Sequence, residues 1–366
     1  MKFSINQTEL QNALGVVLKG IASRSTLPIL SGIYIAADKD ALTLQTTDLT
    51  LSIQYTVNAL VEEPGRAVVP GKLFSDIVKN LPDAAVHVQA DDEGAVITCD
   101  AASFSIKTLE AEDFPGFPQV ATDQEVSIPF GRFASMVKRV ARVVSRDESR
   151  AILTGVLITL ESGLLKMVAT DSYRLAITEA QLPEAPAEDF EAVIAGAFLQ
   201  EIASLPRTDE PVRIALAENQ IVVTYQGTVF VNRRIEGNFP NYRQLLPDSY
   251  ATRVKMRVDH LVAAVKRTSL LGQSSSPVKF SLSTSSNTVQ LSAAAQDVGS
   301  AQETLACEGE GDDAEIAFNY AYVLDGLGAV GTDEVYLEVQ SSLKPGIFKA
   351  TEGESYLYLV MPVRIS

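Results

Sequence analysis

The chain repeats one pattern three times along its 366 residues. Each copy begins with a short alternating strand, a turn and an amphipathic helix, and the three copies start near Phe3, Val126 and Val254. A second helical segment lies mid-way in each copy and carries an acidic residue at an equivalent place, namely Asp76, Glu201 and Asp325. A fixed period is the signature of repeated structural units. The pattern therefore predicts three similar domains.

Other segments repeat in the same register. LTLQTTDL from Leu42 matches LKMVATDS from Leu165, and DFPGFP from Asp113 matches NFPNYR from Asn238. Most of the remaining sequence consists of short alternating segments separated by Asp, Gly, Ser and Asn, which is typical of antiparallel sheet. We predict an α+β fold of three domains, residues 1–122, 123–250 and 251–366, each with two helices packed on antiparallel sheets.

The composition leaves few residues for metal or catalytic chemistry. Apolar residues make up 46% of the chain, which excludes a disordered protein, and there are two cysteines and two histidines. No phosphate-binding G-x-x-x-x-G-K-[ST] motif occurs, and the acids around Gly309–Asp313 do not have calcium-loop spacing. Asp48 and Asp171, in the repeated Thr-Asp motif, are weak catalytic candidates because no paired acid and base accompanies them. We expect no enzyme activity, no metal and no cofactor.

The N-terminus reads as a strand and a helix rather than a signal peptide. No apolar run approaches the roughly 18 residues needed to span a bilayer. These features predict a cytoplasmic protein without a membrane segment.

Charge gives two opposed indications. The net charge is −16, with 30 Lys and Arg against 46 Asp and Glu, whereas nucleic-acid binders usually carry a basic footprint. Several bases nevertheless fall opposite apolar stripes on predicted helices. They are Lys19, Lys72, Lys79, Lys266, Arg267 and, at i, i+3 and i+7 of a helix predicted over 132–146, Arg139, Arg142 and Arg146. The bases indicate either ordinary solvated faces or a surface for a phosphate backbone.

Several longer segments resemble one family. TLPIL from Thr26, ATDSYRLA from Ala169, FPNYRQLLP from Phe239, FNYAYVLD from Phe318 and the terminal YLVMPVRIS look like the beta subunit of bacterial DNA polymerase III, the replication sliding clamp. The resemblance implies a head-to-tail homodimer that closes a ring around duplex DNA. It also implies a non-catalytic processivity factor with the replicative polymerase, the clamp loader and other clamp-binding-motif proteins as partners. A repeat-built scaffold that binds proteins without encircling DNA is the alternative.

The resemblance also assigns residues. It implies a partner-peptide pocket at Leu153, Thr170, Tyr173, Arg174, Leu175, Pro240, Leu245, Tyr322, Leu343, Val360, Met361, Pro362 and Val363. It implies a subunit interface at Phe104, Ile106, Leu270 and Leu271. For DNA contact it indicates Arg24, Lys72, Arg146 and Arg150, besides the helix bases above. Tyr173 replaces an expected histidine and Pro345 an expected serine, so the peptide preference stays open.

Overall fold

The computed structural model describes residues 1–22, 26–120, 125–182, 189–271, 277–295, 298–353 and 355–364. The α-helices in these ranges are α1 Gln7–Val17, α2 Gly71–Lys79, α3 Phe130–Val140, α4 Gly196–Ala203, α5 Val258–Ser269 and α6 Tyr320–Leu327. The strands are β1 Lys2–Asn6, β2 Gly32–Asp38, β3 Ala41–Thr47, β4 Leu51–Asn58, β5 Leu60–Glu63, β6 Gly65–Pro70, β7 Ala85–Ala90, β8 Ala95–Cys99, β9 Ala102–Ile106, β10 Glu125–Pro129, β11 Gly155–Glu161, β12 Leu164–Thr170, β13 Arg174–Gln181, β14 Phe190–Ala195, β15 Pro211–Leu216, β16 Gln220–Tyr225, β17 Thr228–Arg233, β18 Thr252–Arg257, β19 Pro277–Ser283, β20 Thr288–Ala295, β21 Gly299–Ala306, β22 Glu308–Gly311, β23 Ala314–Asn319, β24 Glu334–Val339, β25 Gly346–Ala350 and β26 Ser355–Val360.

The chain folds into two compact units, one made of Met1–Phe130 and Arg207–Arg234, the other of Gly131–Pro206 and Ile235–Ser366. Both units are built from antiparallel ladders, in keeping with the alternating sequence. The division runs through the predicted central domain, because β15, β16 and β17 join the sheet that contains β2, β3, β4 and β6.

The first unit contains a five-stranded sheet of order β5-β1-β7-β8-β9 and an eight-stranded sheet of order β10-β15-β16-β17-β4-β3-β2-β6. On α1, the side chains of Leu10, Leu14 and Val17 are fully buried, as expected for apolar residues at helical spacing. Asn6 begins this helix, because its side chain accepts hydrogen bonds from the backbone of Thr8 and Glu9. The helix α1 packs against α2 and β4.

The second unit contains a nine-stranded sheet of order β14-β11-β12-β13-β26-β25-β24-β18-β22 and a four-stranded sheet of order β21-β20-β19-β23. The β13–β26 pair joins the two halves of the larger sheet, with Arg174 opposite Val360. Fully buried Leu261 and Val265 form the inner face of α5, which packs on β20 and β21. The β13–β26 ladder brings residues near Arg174 next to residues near Val360, which lie far apart in the sequence.

The predicted helix over 132–146 is wrong in length, and its basic face is wrong in part. The helix α3 ends at Val140, and a 3-10 turn covers Ala141–Val143. The predicted i, i+3, i+7 stripe is therefore not a single helix face. Arg139 is 8% exposed and its guanidinium lies 5.8 Å from the centre of the Tyr356 ring, so this cation is packed inside the protein.

The helix α2 buries only part of its apolar residues. Phe74, Ile77 and Val78 are buried, whereas Leu73 is 48% exposed. Lys72 and Lys79 are both exposed, as predicted. No helix in the described part of the chain combines the length and the apolar character that crossing a membrane requires.

Candidate functional site

A cleft of about 1070 Å³ lies in the second unit. Its walls combine three predicted pocket residues, Tyr173, Arg174 and Tyr322, with three predicted DNA-contact residues. The full lining is Ala141, Arg142, Val144, Ser145, Arg146, Asp147, Glu148, Arg150, Thr154, Asp171, Tyr173, Arg174, Ala195, Ala197, Gln200, Tyr322 and Asp325. Two surfaces that were predicted separately therefore share one cleft.

The turn between β12 and β13 holds one wall of the cleft. The Asp171 carboxylate accepts hydrogen bonds from the backbone N–H groups of Tyr173 and Arg174, at 2.9 and 3.0 Å. The Thr170 hydroxyl donates to the Arg174 carbonyl at 2.7 Å and accepts from the Ser172 N–H at 3.2 Å. Asp and Thr side chains commonly fix turns in this way. The turn leaves the Tyr173 side chain 61% exposed at the rim.

Arg174 is the centre of a largely buried polar network. Its guanidinium donates to Asp171 Oδ2 at 3.0 Å, to Asp325 Oδ2 at 2.5 Å and to the Arg142 carbonyl at 3.1 Å. It also donates to the Tyr358 hydroxyl at 3.3 Å and lies 4.5 Å from the centre of the Tyr322 ring. The planar guanidinium group of an arginine can donate hydrogen bonds to several acceptors at once, in fixed directions. The network connects β13, β26, α6 and the 3-10 turn that follows α3.

The electrostatics of the network favour the charged arginine. Burial alone lowers the pKa of Arg174, but the Tyr358 phenol, the Asp325 carboxylate and Asp171 outweigh burial, and the net pKa is raised. Burial and the Asp171 charge raise the pKa of the Tyr322 phenol. Both side chains therefore keep a single protonation state at neutral pH. This wall of the cleft therefore presents the positively charged Arg174 guanidinium beside the neutral Tyr322 ring.

Tyr358→Phe should lower the free energy of unfolding by about 1–2 kcal/mol, because the Tyr322 carbonyl loses a side-chain donor and the Arg174 guanidinium loses one of its acceptors in a largely buried network. The Tyr358 hydroxyl donates to the Tyr322 carbonyl at 2.8 Å and accepts from Arg174. Urea unfolding measures the change. Tyr55→Phe is the matched control, since no hydrogen bond of the Tyr55 hydroxyl is found among the described residues. Equal stability of the two variants would contradict the role given to Tyr358.

The apolar residues of the predicted pocket lie on the chain end and in the core next to the turn that carries Tyr173. Met361 donates its backbone N–H to the Tyr173 carbonyl at 2.9 Å, and Val363 donates to Ala317. Leu175 is buried in a cluster with Tyr242 and Leu359. Among the predicted pocket residues, Tyr173, Pro240, Leu245, Leu343 and Met361 are exposed, Tyr322, Pro362 and Val363 are half-buried, and Leu153, Thr170, Arg174, Leu175 and Val360 are buried.

The predicted DNA-contact residues differ in how exposed they are. Lys72 and Lys79 are exposed on α2, and Arg146 and Arg150 are exposed at the cleft, where the Arg150 guanidinium donates to the Ser172 hydroxyl. Arg142 is half-buried and donates to the carbonyls of Lys138 and Asp325 at 3.1 and 3.2 Å. Arg139 is buried, and Arg24 lies outside the described residues.

The predicted interface residues lie near sheet edges. The strand β9 ends the five-stranded sheet, and Phe104 on it is 40% exposed, whereas Ile106 is 9% exposed. Leu270 follows α5 and is 80% exposed, and Leu271 is half-buried. The strand β9 has a neighbouring strand on one side only among the described residues, since β8 is its single partner in the sheet.

Sequence reasoning missed the acids of the cleft. It used Asp325 as a marker of the repeat and considered Asp171 as a catalytic acid, whereas the two carboxylates bind Arg174. The repeated Thr-Asp motif was the available signal for the turn. Within the described ranges, no group of three or more His, Cys, Asp and Glu residues could hold a metal ion.

Comparison with known proteins gives a family for the whole chain. Residues 1–118, 127–241 and 243–364 match the models of the N-terminal, central and C-terminal domains of the DNA polymerase III beta subunit. The "Beta sliding clamp" of Synechocystis sp. is 32% identical over 390 residues, covering 100% of both chains. The crystal structure of the DNA polymerase sliding clamp from Bacillus subtilis superposes with a TM-score of 0.96 at 29% identity, again over 100% of both chains.

A griselimycin-bound sliding clamp from Pseudomonas aeruginosa is similar over 100% of both chains, with a TM-score of 0.94 and 27% identity. The three models match in chain order and together span nearly all the residues. The chain therefore belongs to the DNA polymerase III beta subunit family, the sliding clamps of bacterial DNA replication.

Proposed function

We propose that this sliding clamp encircles duplex DNA as a head-to-tail dimer and tethers the replicative polymerase through the cleft of the second unit. The observation that carries the function is the ordered match of three clamp domains over the chain. Members of this family are non-catalytic processivity factors, and this chain acts as one. A clamp loader and other clamp-binding-motif proteins are its further partners.

The three domains are proposed as residues 1–122, 123–250 and 251–366. The sequence repeats support this division, since each copy supplies two of the helices α1–α6. The two compact units follow the continuous sheets instead of the repeats. A sheet shared by two repeats would hold them together, which suits a closed ring. Bacterial replication takes place in the cytoplasm, and we place the protein there.

The thirteen pocket residues are proposed to bind a short linear peptide. Exposed Tyr173, Leu245, Leu343 and Met361 offer apolar and aromatic surface, and such residues mark a binding site where they form one contiguous patch. Methionine adapts its shape to different partners. The charged Arg174 network beneath the rim would keep the wall in place when the peptide binds. This arrangement suits capture of hydrophobic anchor side chains.

The proposed DNA surface consists of exposed Lys72, Lys79, Arg146 and Arg150, with Arg142 at its margin and Arg24 as a candidate outside the described residues. Arg139 is withdrawn from it, because a buried arginine packed on Tyr356 cannot reach a phosphate. A small number of exposed cations on an acidic protein suits weak, salt-dependent contacts with the backbone. Such contacts carry no sequence preference and permit sliding.

The subunit contact is proposed between β9 of one subunit, with Phe104 and Ile106, and the region of Leu270 and Leu271 in the other. Two edge strands support this choice, since β9 ends one sheet and β21 ends another. Unpaired edges offer backbone groups to a second chain. A heterologous contact whose rotation closes produces a ring.

Loading onto DNA circles tests the encircling function. After loading by the cognate clamp loader, we expect the protein to stay on nicked circular DNA during gel filtration and to leave when the circle is linearised. Topological linkage predicts this difference, because a ring can slide off an end. Equal loss from circular and linear DNA would favour the scaffold that never encircles DNA.

A further inference from the structure

The turn that holds one wall of the cleft has an equivalent in the first unit. There, the Asp48 carboxylate accepts hydrogen bonds from the backbone N–H groups of Thr50 and Leu51 at 2.8 and 2.7 Å, in the same pattern as in the cleft turn. Leu49 and Ser172 occupy the same position in the two turns, with φ of 74° and 80°. Because Leu49 has no hydroxyl, this kind of turn forms without one at that position.

The Ser172 hydroxyl makes a contact that a leucine side chain cannot make. It accepts a hydrogen bond from the Arg150 guanidinium. Arg150 lies in the 3-10 segment Glu148–Thr154, which also carries the buried pocket residue Leu153. The turn itself carries Tyr173 at the rim of the cleft. The hydrogen bond therefore joins two segments that each contribute a residue to the proposed peptide pocket.

Arg150 is a cation that can exchange its side-chain partner. Its backbone N–H donates to the Asp147 carbonyl at 3.1 Å, while its side chain is exposed. An arginine binds a phosphate through two parallel hydrogen bonds, and both bidentate geometries of a guanidinium use Nη2, the atom that donates to Ser172. The Ser172 hydroxyl is a single, neutral acceptor. A phosphate that reaches Arg150 should therefore take the guanidinium away from Ser172.

We infer that Arg150 couples the two proposed partners of the cleft, because its guanidinium holds Ser172 when a peptide is bound and a phosphate when duplex DNA is bound. Loss of the bond to Ser172 gives the turn and the segment Glu148–Thr154 more freedom, which peptide binding must then remove. Duplex DNA should therefore weaken peptide binding. A bound peptide should weaken duplex binding by the same factor, since coupling is reciprocal. The inference rests on the proposed function, from which both partners are taken.

Peptide affinity with and without duplex DNA tests the coupling. The full chain is titrated at low salt into a fluorescein-labelled, polymerase-derived clamp-binding peptide, at increasing concentrations of a short unlabelled duplex. Fluorescence anisotropy gives the dissociation constant of the peptide. For the unaltered chain we expect this constant to rise about threefold and then to level off, because one exposed hydrogen bond is exchanged.

Ser172→Ala removes the hydroxyl and leaves Arg150 in place. Without DNA it should bind the peptide about threefold more weakly than the unaltered chain, and the duplex should no longer change that affinity. Ser162→Ala is the matched control, because Ser162 is an exposed serine with φ of 51° at the other end of β12. It should keep both the peptide affinity and the threefold effect of DNA. A DNA effect that survives in Ser172→Ala would overturn the inference.

Arg150→Met tests the contact with phosphate. The plot of log duplex affinity against log salt concentration should become less steep by about one, because one phosphate contact is lost. The duplex should also stop changing the peptide affinity of this variant. An unchanged slope would mean that Arg150 touches no phosphate, which excludes coupling through this side chain.

Three other outcomes separate the inference from the proposed function. A dissociation constant that rises without limit as duplex is added would mean that peptide and DNA compete for one site, and the coupling would be wrong. Unchanged peptide affinity at a duplex concentration that saturates the protein would remove the coupling and leave the proposed function intact. Failure of the unaltered chain to bind either the duplex or the peptide would count against the proposed function, and the coupling would fall with it.

Discussion

A chain carrying Leu270→Arg should sediment as a monomer at concentrations where the unaltered chain is a dimer. Leu270 is 80% exposed beside α5, and we place it in the contact with β9 of a second subunit. A buried interface cation without a partner weakens association strongly, and apolar anchors at interface centres carry much of the binding energy. We expect dimer affinity to fall at least about 100-fold, or about 2.7 kcal/mol. Analytical ultracentrifugation measures it.

Leu60→Arg is the matched control. Leu60 is 64% exposed on β5, which ends the same five-stranded sheet at the edge away from β9. The same charge on this edge should leave the dimer intact. A dimeric Leu270→Arg protein, or a monomeric Leu60→Arg protein, would place the contact elsewhere.

Mixing two monomeric variants tests whether Phe104 of one subunit faces Leu270 of the other. Phe104→Glu should also give monomers, because Phe104 lies on the opposite half of the contact. When Phe104→Glu and Leu270→Arg chains are mixed, one contact of the mixed dimer has two natural halves, and the other pairs glutamate with arginine. Dimers should therefore return. If Phe104 instead met Phe104 of the other subunit, and Leu270 met Leu270, every mixed contact would keep one altered side chain, and mixing would not restore dimers.

The sequence predicted the repeated elements because repetition and alternation are local signals. Helices appear in both positions of all three repeats, and β9 has the alternation expected of a strand. The paired turns at Asp48 and Asp171 were visible as a shared Thr-Asp motif. Their common hydrogen bonds follow from side chains two and three residues away, which is why a short motif suffices to specify them.

The sequence did not predict features that depend on distant residues. Arg139 has a helical position typical of a solvated base, but Tyr356, more than 200 residues later, packs against it. The end of α3 at Val140 was missed because the basic residues that follow continue the helical spacing. The pairing of β17 with β4 could not be predicted either. The sequence repeats do not indicate that strands of two repeats belong to one sheet. Asp325 on α6 likewise binds Arg174, which lies 151 residues earlier in the chain.

Arg174→Met should abolish detectable binding of a polymerase-derived clamp-binding peptide, with affinity reduced at least 100-fold. The substitution keeps an unbranched apolar stem but removes the fork that binds Asp171, Asp325 and the Tyr358 hydroxyl. The carboxylate of Asp171 is then left largely buried without a cation, which is costly. Because Asp325 is half-exposed, we expect a loss of about 2–3 kcal/mol in the free energy of unfolding. The turn that carries Tyr173 should lose its fixed position.

Arg150→Met and Arg174→Lys separate positioning from charge. Arg150 is an exposed cation of the same cleft, so its loss should change the free energy of unfolding by no more than about 0.5 kcal/mol and leave peptide affinity within a few-fold. Arg174→Lys restores one positive charge but cannot reach several acceptors at once, so stability should recover in part while peptide binding stays weak. Full recovery with lysine would mean that charge alone suffices. Weak binding in Arg174→Lys at near-normal stability would instead identify the guanidinium geometry as the feature that positions the pocket wall.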